Sequence, residues 1–165
     1  PRPGTGCPKR PRSRASRAMP PEDSLVPAEL RARIEADPWA RALGIRFLVF
    51  ERGLCRVGMT IQPHMVNFQG YPHGGVIFSL ADIAFGAACN SHGGTAVALN
   101  MTISFLTAVP AGSRLVAEAR EIKQGRRAGF YQVSVTSEKG ALVAQVHCVA
   151  HTVAALGAAP EAWLT

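Results

Sequence analysis

The middle of this 165-residue chain is almost without charge. Between Arg56 and Arg114 lie 57 residues, and Asp82 is the one Asp, Glu, Lys or Arg among them. At the overall charged fraction of 18%, about ten would be expected. The stretch is no pair of membrane spans, because Pro63, Asn67, Pro72, Asn90, Asn100 and Pro110 interrupt it. It reads as the buried centre of a soluble fold, with room for part of its surface to lie against another subunit. Also missing are a C-x-x-C pair and any tight Cys/His cluster among Cys7, Cys55, Cys89 and Cys148. That argues against a zinc ribbon and a disulfide framework and makes a reducing cytoplasm the expected location. There is no G-x-G-x-x-G, Walker A or G-x-S-x-G pattern and no internal repeat. The sequence thus carries no signature of a dinucleotide fold, a P-loop enzyme, a serine-hydrolase elbow or a solenoid.

What is present begins with an apolar fraction of 47%, enough for a packed core, and a net charge of +7. Such a charge raises nucleic acid or an anionic membrane as partners. Its location removes the argument. Residues 1–18 hold six of the 18 cations and no acid, so the remainder stands at +1. We expect 1–18 to be a disordered basic leader or an expression remnant upstream of Met19. A transit-type segment and a nucleic-acid-binding arm are the alternatives. Neither nucleic acid nor membrane is expected as a partner of the domain.

Hydrophobic periodicity supplies the rest of the organisation. A helical lead-in is expected over 19–44, with a helix at 27–36 broken by Asp37-Pro38. Ile45, Phe47 and Val49, then Cys55, Val57, Met59 and Ile61, alternate as two strands of a hairpin turning at Arg52-Gly53. Residues 63–75 read as loop, and 76–89 as a helix apolar nearly all round, hence buried. Four strands follow at roughly 95–107, 113–123, 127–138 and 141–152, and the tail 154–165 is expected to be flexible. Turns this short demand antiparallel pairing. One sheet must cover one hydrophobic helix, so it should curve around it. The expected class is α+β in the hot-dog arrangement over 45–153, a long helix wrapped by about six antiparallel strands.

Two motifs in the charge-poor stretch could carry chemistry. Asp82 lies in mid-helix between Leu80, Ala81, Ile83 and Ala84. A lone carboxylate in low dielectric is a candidate general base or nucleophile; the alternative is an acid on a solvated helix stripe. His73-Gly74-Gly75 precedes the helix, where unsatisfied N–H groups and the positive dipole end gather. Glycines there admit a ligand oxygen to the amides, an oxyanion hole in prospect, or else form a flexible hinge. Gly74 and Asp82 are eight residues apart, about 12 Å along one helix. Both must lie within about 3 Å of one reacting centre. If both are catalytic, two antiparallel helices across a two-fold axis must supply them, and an obligate dimer follows. His147 and His151 sit about 13 Å apart by strand rise, too far to chelate one metal ion, and no metal or separate cofactor is expected. Trp39 is expected to serve packing.

Asn67-x-x-Gly70-x-x-His73-Gly74-Gly75, followed by Phe78-Ser79-Leu80-Ala81-Asp82-x-Ala84-Phe85, resembles the PaaI group of hot-dog acyl-CoA thioesterases, associated with phenylacetic acid degradation. Thr102-Ile103-Ser104-Phe105-Leu106 and Gln124-Gly125-Arg126-x-x-Gly129-x-Tyr131 continue the likeness, which covers about 40–152. The resemblance implies hydrolysis of an acyl-CoA, aryl-acetyl-CoA among the candidates. Asp82 would activate water or attack the thioester carbonyl. The Gly74 amide would hold the carbonyl oxygen, His73 would lie by the thioester, and Asn67 would orient water or the carboxylate. Lys123, Gln124, Gly125, Arg126, Arg127 and Gly129 match where relatives hold coenzyme A, and His151 would touch it at a subunit seam. Without the family, that run reads as a solvated basic turn. Some relatives carry a Ser or Thr at the position of Ala98; Thr95, Asn100 or a backbone atom would have to replace it. Homotetramers made of two dimers are implied as well. A non-catalytic acyl-CoA-sensing protein and an acyl-thioester dehydratase are the alternative functions.

Overall fold

A computed structural model describes residues 25–153, so the expectations for 1–18 and 154–165 lie outside the described residues. Two short helices open it, α1 (Ala28–Glu35) and α2 (Pro38–Ala42). Asp37 separates them. Its Oδ1 accepts the Ala40 N–H at 2.7 Å, and Pro38 takes the first helical position, where its missing N–H costs nothing. The hairpin strands are β1 (Arg46–Glu51) and β2 (Leu54–Thr60), turning at Gly53 with φ 67°. The expected loop contains a 3-10 turn at Pro63–Met65 and an isolated bridge between Val66 and Pro72.

The long helix α3 runs from Gly74 to Asn90, two residues earlier than its apolar run suggests, because His73 caps it. Strands β3 (Thr95–Phe105), β4 (Arg114–Gln124), β5 (Ala128–Ser137) and β6 (Leu142–Val153) follow. All six strands form one antiparallel sheet in the order β1-β2-β4-β5-β6-β3. Helix α3 lies across its concave face, packed on β2, β3, β4 and β5. This is the expected hot-dog arrangement.

The core forms where the α3 stripe Leu80, Ala81, Ala84, Phe85 and Ala88 meets inward residues such as Val57, Leu115, Ala117, Val133 and Val146. Alanines let helix and sheet approach closely. Phe85 adds an edge-on contact with Tyr131 at 5.4 Å between ring centroids. The reading of α3 as buried on all sides needs correction. Eight of its 17 residues are buried, while Gly75 and Asp82 are exposed and Ser79 and Gly86 half-exposed. At 3.6 residues per turn these four share one stripe, opposite the one the sheet covers. Strand β3 ends the sheet with one edge unpaired, and Leu99 and Phe105 on it stay 63% and 53% exposed.

Candidate active site

The loop before α3 is built by its own polar side chains. Asn67 Oδ1 accepts the N–H groups of Gln69 (2.9 Å) and Tyr71 (3.2 Å), closing a turn across Gly70 with φ 82°. Its carbonyl end is thus occupied, and its amide end holds the free donors. The loop then docks through the His73 N–H on the Met65 carbonyl at 2.8 Å. The His73 ring turns back onto the helix, and its Nδ1 accepts the Gly75 N–H at 3.0 Å. Such a neutral ring carries its proton on Nε2. The Val76 and Ile77 N–H groups both reach the His73 carbonyl. Among the described residues, no acceptor takes the Gly74 N–H. The first turn of α3 therefore offers one unclaimed donor at its positive end. Asn67 and Gly74 line the same cleft of about 310 Å³, with Ile77, Phe105 and Val109. A Cβ on Gly74 would come within 3.2 Å of the Phe105 ring.

Asp82 sits elsewhere. Two turns along α3 it opens onto a separate groove of about 530 Å³, whose walls include Arg33 and Ile34 of α1, Asp37, Trp39, Phe47 and Ile83. Of the two readings of Asp82, low dielectric and a solvated helix stripe, each describes one side: one side faces solvent in the single chain. The other side is crowded by the groove wall. That burial, and secondarily Asp37, holds its carboxyl above the ordinary range. Trp39 is corrected too, for it is 57% exposed on this groove instead of packed in the core. Sequence reasoning missed Arg33, Asp37 and Trp39 as neighbours of Asp82, and no motif pointed to them. They reach the groove from α1, from α2 and from the link between them, and line its side opposite Asp82 and Ile83.

The β4–β5 hairpin gathers the remaining candidates at one end of the sheet, by the C-terminal end of α3. Lys123, Arg126 and Arg127 are exposed there, and His151 stands opposite Ala128 in the ladder. Gly125 closes the turn by donating its N–H to the Ala128 carbonyl at 2.8 Å, and a Cβ on it would meet that oxygen at 2.9 Å. Gln124 and Gly129 are tied inward. The Tyr131 hydroxyl lies 3.0 Å from Gln124 Oε1 and 3.1 Å from Glu121 Oε2, and His92 Nε2 is 2.6 Å from the same Glu121 oxygen. A Cβ on Gly129 would collide with Gln124 and come within 2.7 Å of the Tyr131 ring. Ala98 lies exposed beside a register shift in β3, with exposed Asn100 beyond it. The Thr95 hydroxyl is buried without a partner among the described residues. Cys55, Cys89 and Cys148 are buried, and burial pushes each thiol up to about 12, so none offers a thiolate.

Residues 69–144 match the family model of the thioesterase superfamily. Acyl-coenzyme A thioesterase PaaI of Escherichia coli K12 is 39% identical over 122 residues, covering 74% of this chain and 87% of that one. The chain belongs to the thioesterase superfamily. The E. coli PaaI structure, from the phenylacetic acid degradation operon, superposes with a TM-score of 0.74 at 38% identity, over 76% of this chain and 91% of that one. A Streptococcus mutans UA159 protein solved bound to acetyl CoA matches with a TM-score of 0.65 at 28% identity, over 67% of this chain and 90% of that one. The membership makes this superfamily chain a thioester hydrolase of hot-dog fold. No helix among the described residues is long and apolar enough to cross a membrane.

Proposed function

We propose that this chain hydrolyses acyl-CoA thioesters at a site completed by two copies of itself, without a metal or a separate cofactor. The observation that carries the reading is the separation of two half-sites. The unclaimed Gly74 N–H lies in the Asn67 cleft, while Asp82 opens onto a different groove about 12 Å further along the same helix. Neither half can run the reaction alone. Two antiparallel α3 helices would bring Gly74 of one copy to Asp82 of the other. The open stripe of Gly75, Ser79, Asp82 and Gly86 has the small side chains for such an approach.

In this site the thioester carbonyl oxygen accepts the Gly74 N–H. Water attacks the carbonyl carbon while Asp82 takes its proton. The tetrahedral oxyanion is held at the positive end of α3 until the C–S bond breaks. The coenzyme A thiolate leaves and regains the proton from Asp82. The free amide end of Asn67 orients the water or the carboxylate, and His73 stands beside the thioester. Direct attack by Asp82, giving a mixed anhydride that water then opens, uses the same residues. Lys123, Arg126, Arg127 and His151, with the backbone at Gly125, face the coenzyme A phosphates. Gln124 and Gly129 shape the hairpin that carries them. The acyl group, aryl-acetyl or otherwise, enters the Asp82 groove.

The test is thiol release from short, long and aryl-acetyl-CoAs by the purified chain and by Asp82→Asn. The reading predicts hydrolysis of at least one thioester and a loss of turnover by orders of magnitude in the variant, with the fold intact. Binding of acyl-CoA without hydrolysis, or unchanged hydrolysis by Asp82→Asn, would contradict it.

A further inference from the structure

We propose that Asp37 is a positioning residue for catalysis, contributing alongside burial to the pH at which Asp82 becomes a base. This rests on the reading of Asp82 given above. Asp37 is held rigidly, since its Oδ1 caps α2 through the Ala40 N–H and Pro38 follows at once. Asp37 and Asp82 line one groove, between the apolar walls of Ile34, Trp39 and Phe47. Among the described residues neither carboxylate has an ion-pair partner, although Arg33 lines the same groove. Two like charges facing one partly enclosed groove disfavour ionising both. Asp37 spends one oxygen in the α2 cap, which fixes its carboxyl in place at the groove it shares with Asp82. The direction of the Asp82 shift agrees.

The other groups near Asp82 do not replace this effect. Cys89 on α3 and Cys148 on β6 are neutral thiols, pushed up to about 12 by burial. Arg33, from α1, lines the same groove without pairing with either carboxylate among the described residues. The benefit to catalysis follows from proton affinity, because a stronger base draws the proton from water more readily. Helix capping also makes the idea testable. Asn and Ser cap as well as Asp but carry no charge.

The experiment compares pH–rate profiles of the wild-type chain, Asp37→Asn and Asp37→Ser on one acyl-CoA that the wild type hydrolyses. Both variants should keep the wild-type melting temperature. In both, the acid limb should move to lower pH, so that rate relative to plateau rises at least about twofold on that limb. High salt should shrink the difference. Arg33→Gln should move the limb the other way. An acid limb that stays in place in Asp37→Asn and Asp37→Ser overturns the proposal while leaving the Asp82 reading intact. Loss of that reading would show separately, as an active Asp82→Asn.

Discussion

Asp82 is half-enclosed and has no ion partner among the described residues, which has consequences for stability as well as for rate. Its carboxyl is held above the ordinary range, so the folded state binds its proton more tightly than the unfolded chain does. The sign is therefore opposite to that of a salt-bridged aspartate. Stability from this group is full below the unfolded value and is lost as pH rises through the folded one. Asp82→Asn, inactive, should melt at the same or higher temperature than wild type near neutral pH. The gap should close on acidification, as thermal melts across pH will read. A variant less stable at neutral pH would show that the charged carboxylate is needed by the fold. The sequence made Asp82 conspicuous as the one charged residue in a run of 57. It misjudged the burial, because hydropathy counts neighbours along the chain, whereas the stripe of Gly75, Ser79 and Gly86 faces away from the sheet.

Helix α3 offers a direct way to test its own N-terminus. Gly74 is the first helical residue, where proline is well tolerated, and His73 before it has φ −62° and ψ 135°, a conformation that suits a following proline. Gly74→Pro thus deletes the unclaimed N–H while leaving the helix in place. It should fold, yet lose about 10²–10³-fold in kcat, the usual worth of one oxyanion donor. Gly74→Ala, which keeps the N–H and adds only a methyl near Phe105, should lose less; equal losses would assign the effect to bulk. At the other end of the sheet, Arg126→Ala with Arg127→Ala should raise KM for acyl-CoA in a salt-dependent manner. An acyl-N-acetylcysteamine thioester, which lacks the phosphates, should show no such change; equal effects on both substrates would remove the phosphate role. The elements themselves were legible, since period-two runs and short turns dictate six antiparallel strands. Their order across the sheet was not, because pairing of β3 with β6 and of β2 with β4 depends on contacts remote in sequence. For the same reason the place of Arg33, Asp37 and Trp39 beside Asp82 escaped notice, as nothing local marks which groove a residue lines.

For the whole molecule, the net charge of +7 says little about partners, since the part beyond residue 18 stands at +1. More telling are an unpaired β3 edge bearing exposed Leu99 and Phe105, and the separation of the Gly74 cleft from the Asp82 groove. In the proposed dimer, pairing across a two-fold axis would cover the edge and bring the two clefts together. The claim that the active site is shared can be tested by complementation. Asp82→Asn and Gly74→Pro chains should each have strongly reduced activity as homodimers. In a mixed dimer, one site combines Gly74 of the first with Asp82 of the second and is intact, and the other site carries both changes. Equal mixing with subunit exchange should restore about one quarter of wild-type activity, since half the dimers are mixed and half their sites are whole. Activity that stays at the level of the two separate variants, with exchange verified, would place Gly74 and Asp82 in one chain's site and contradict the account.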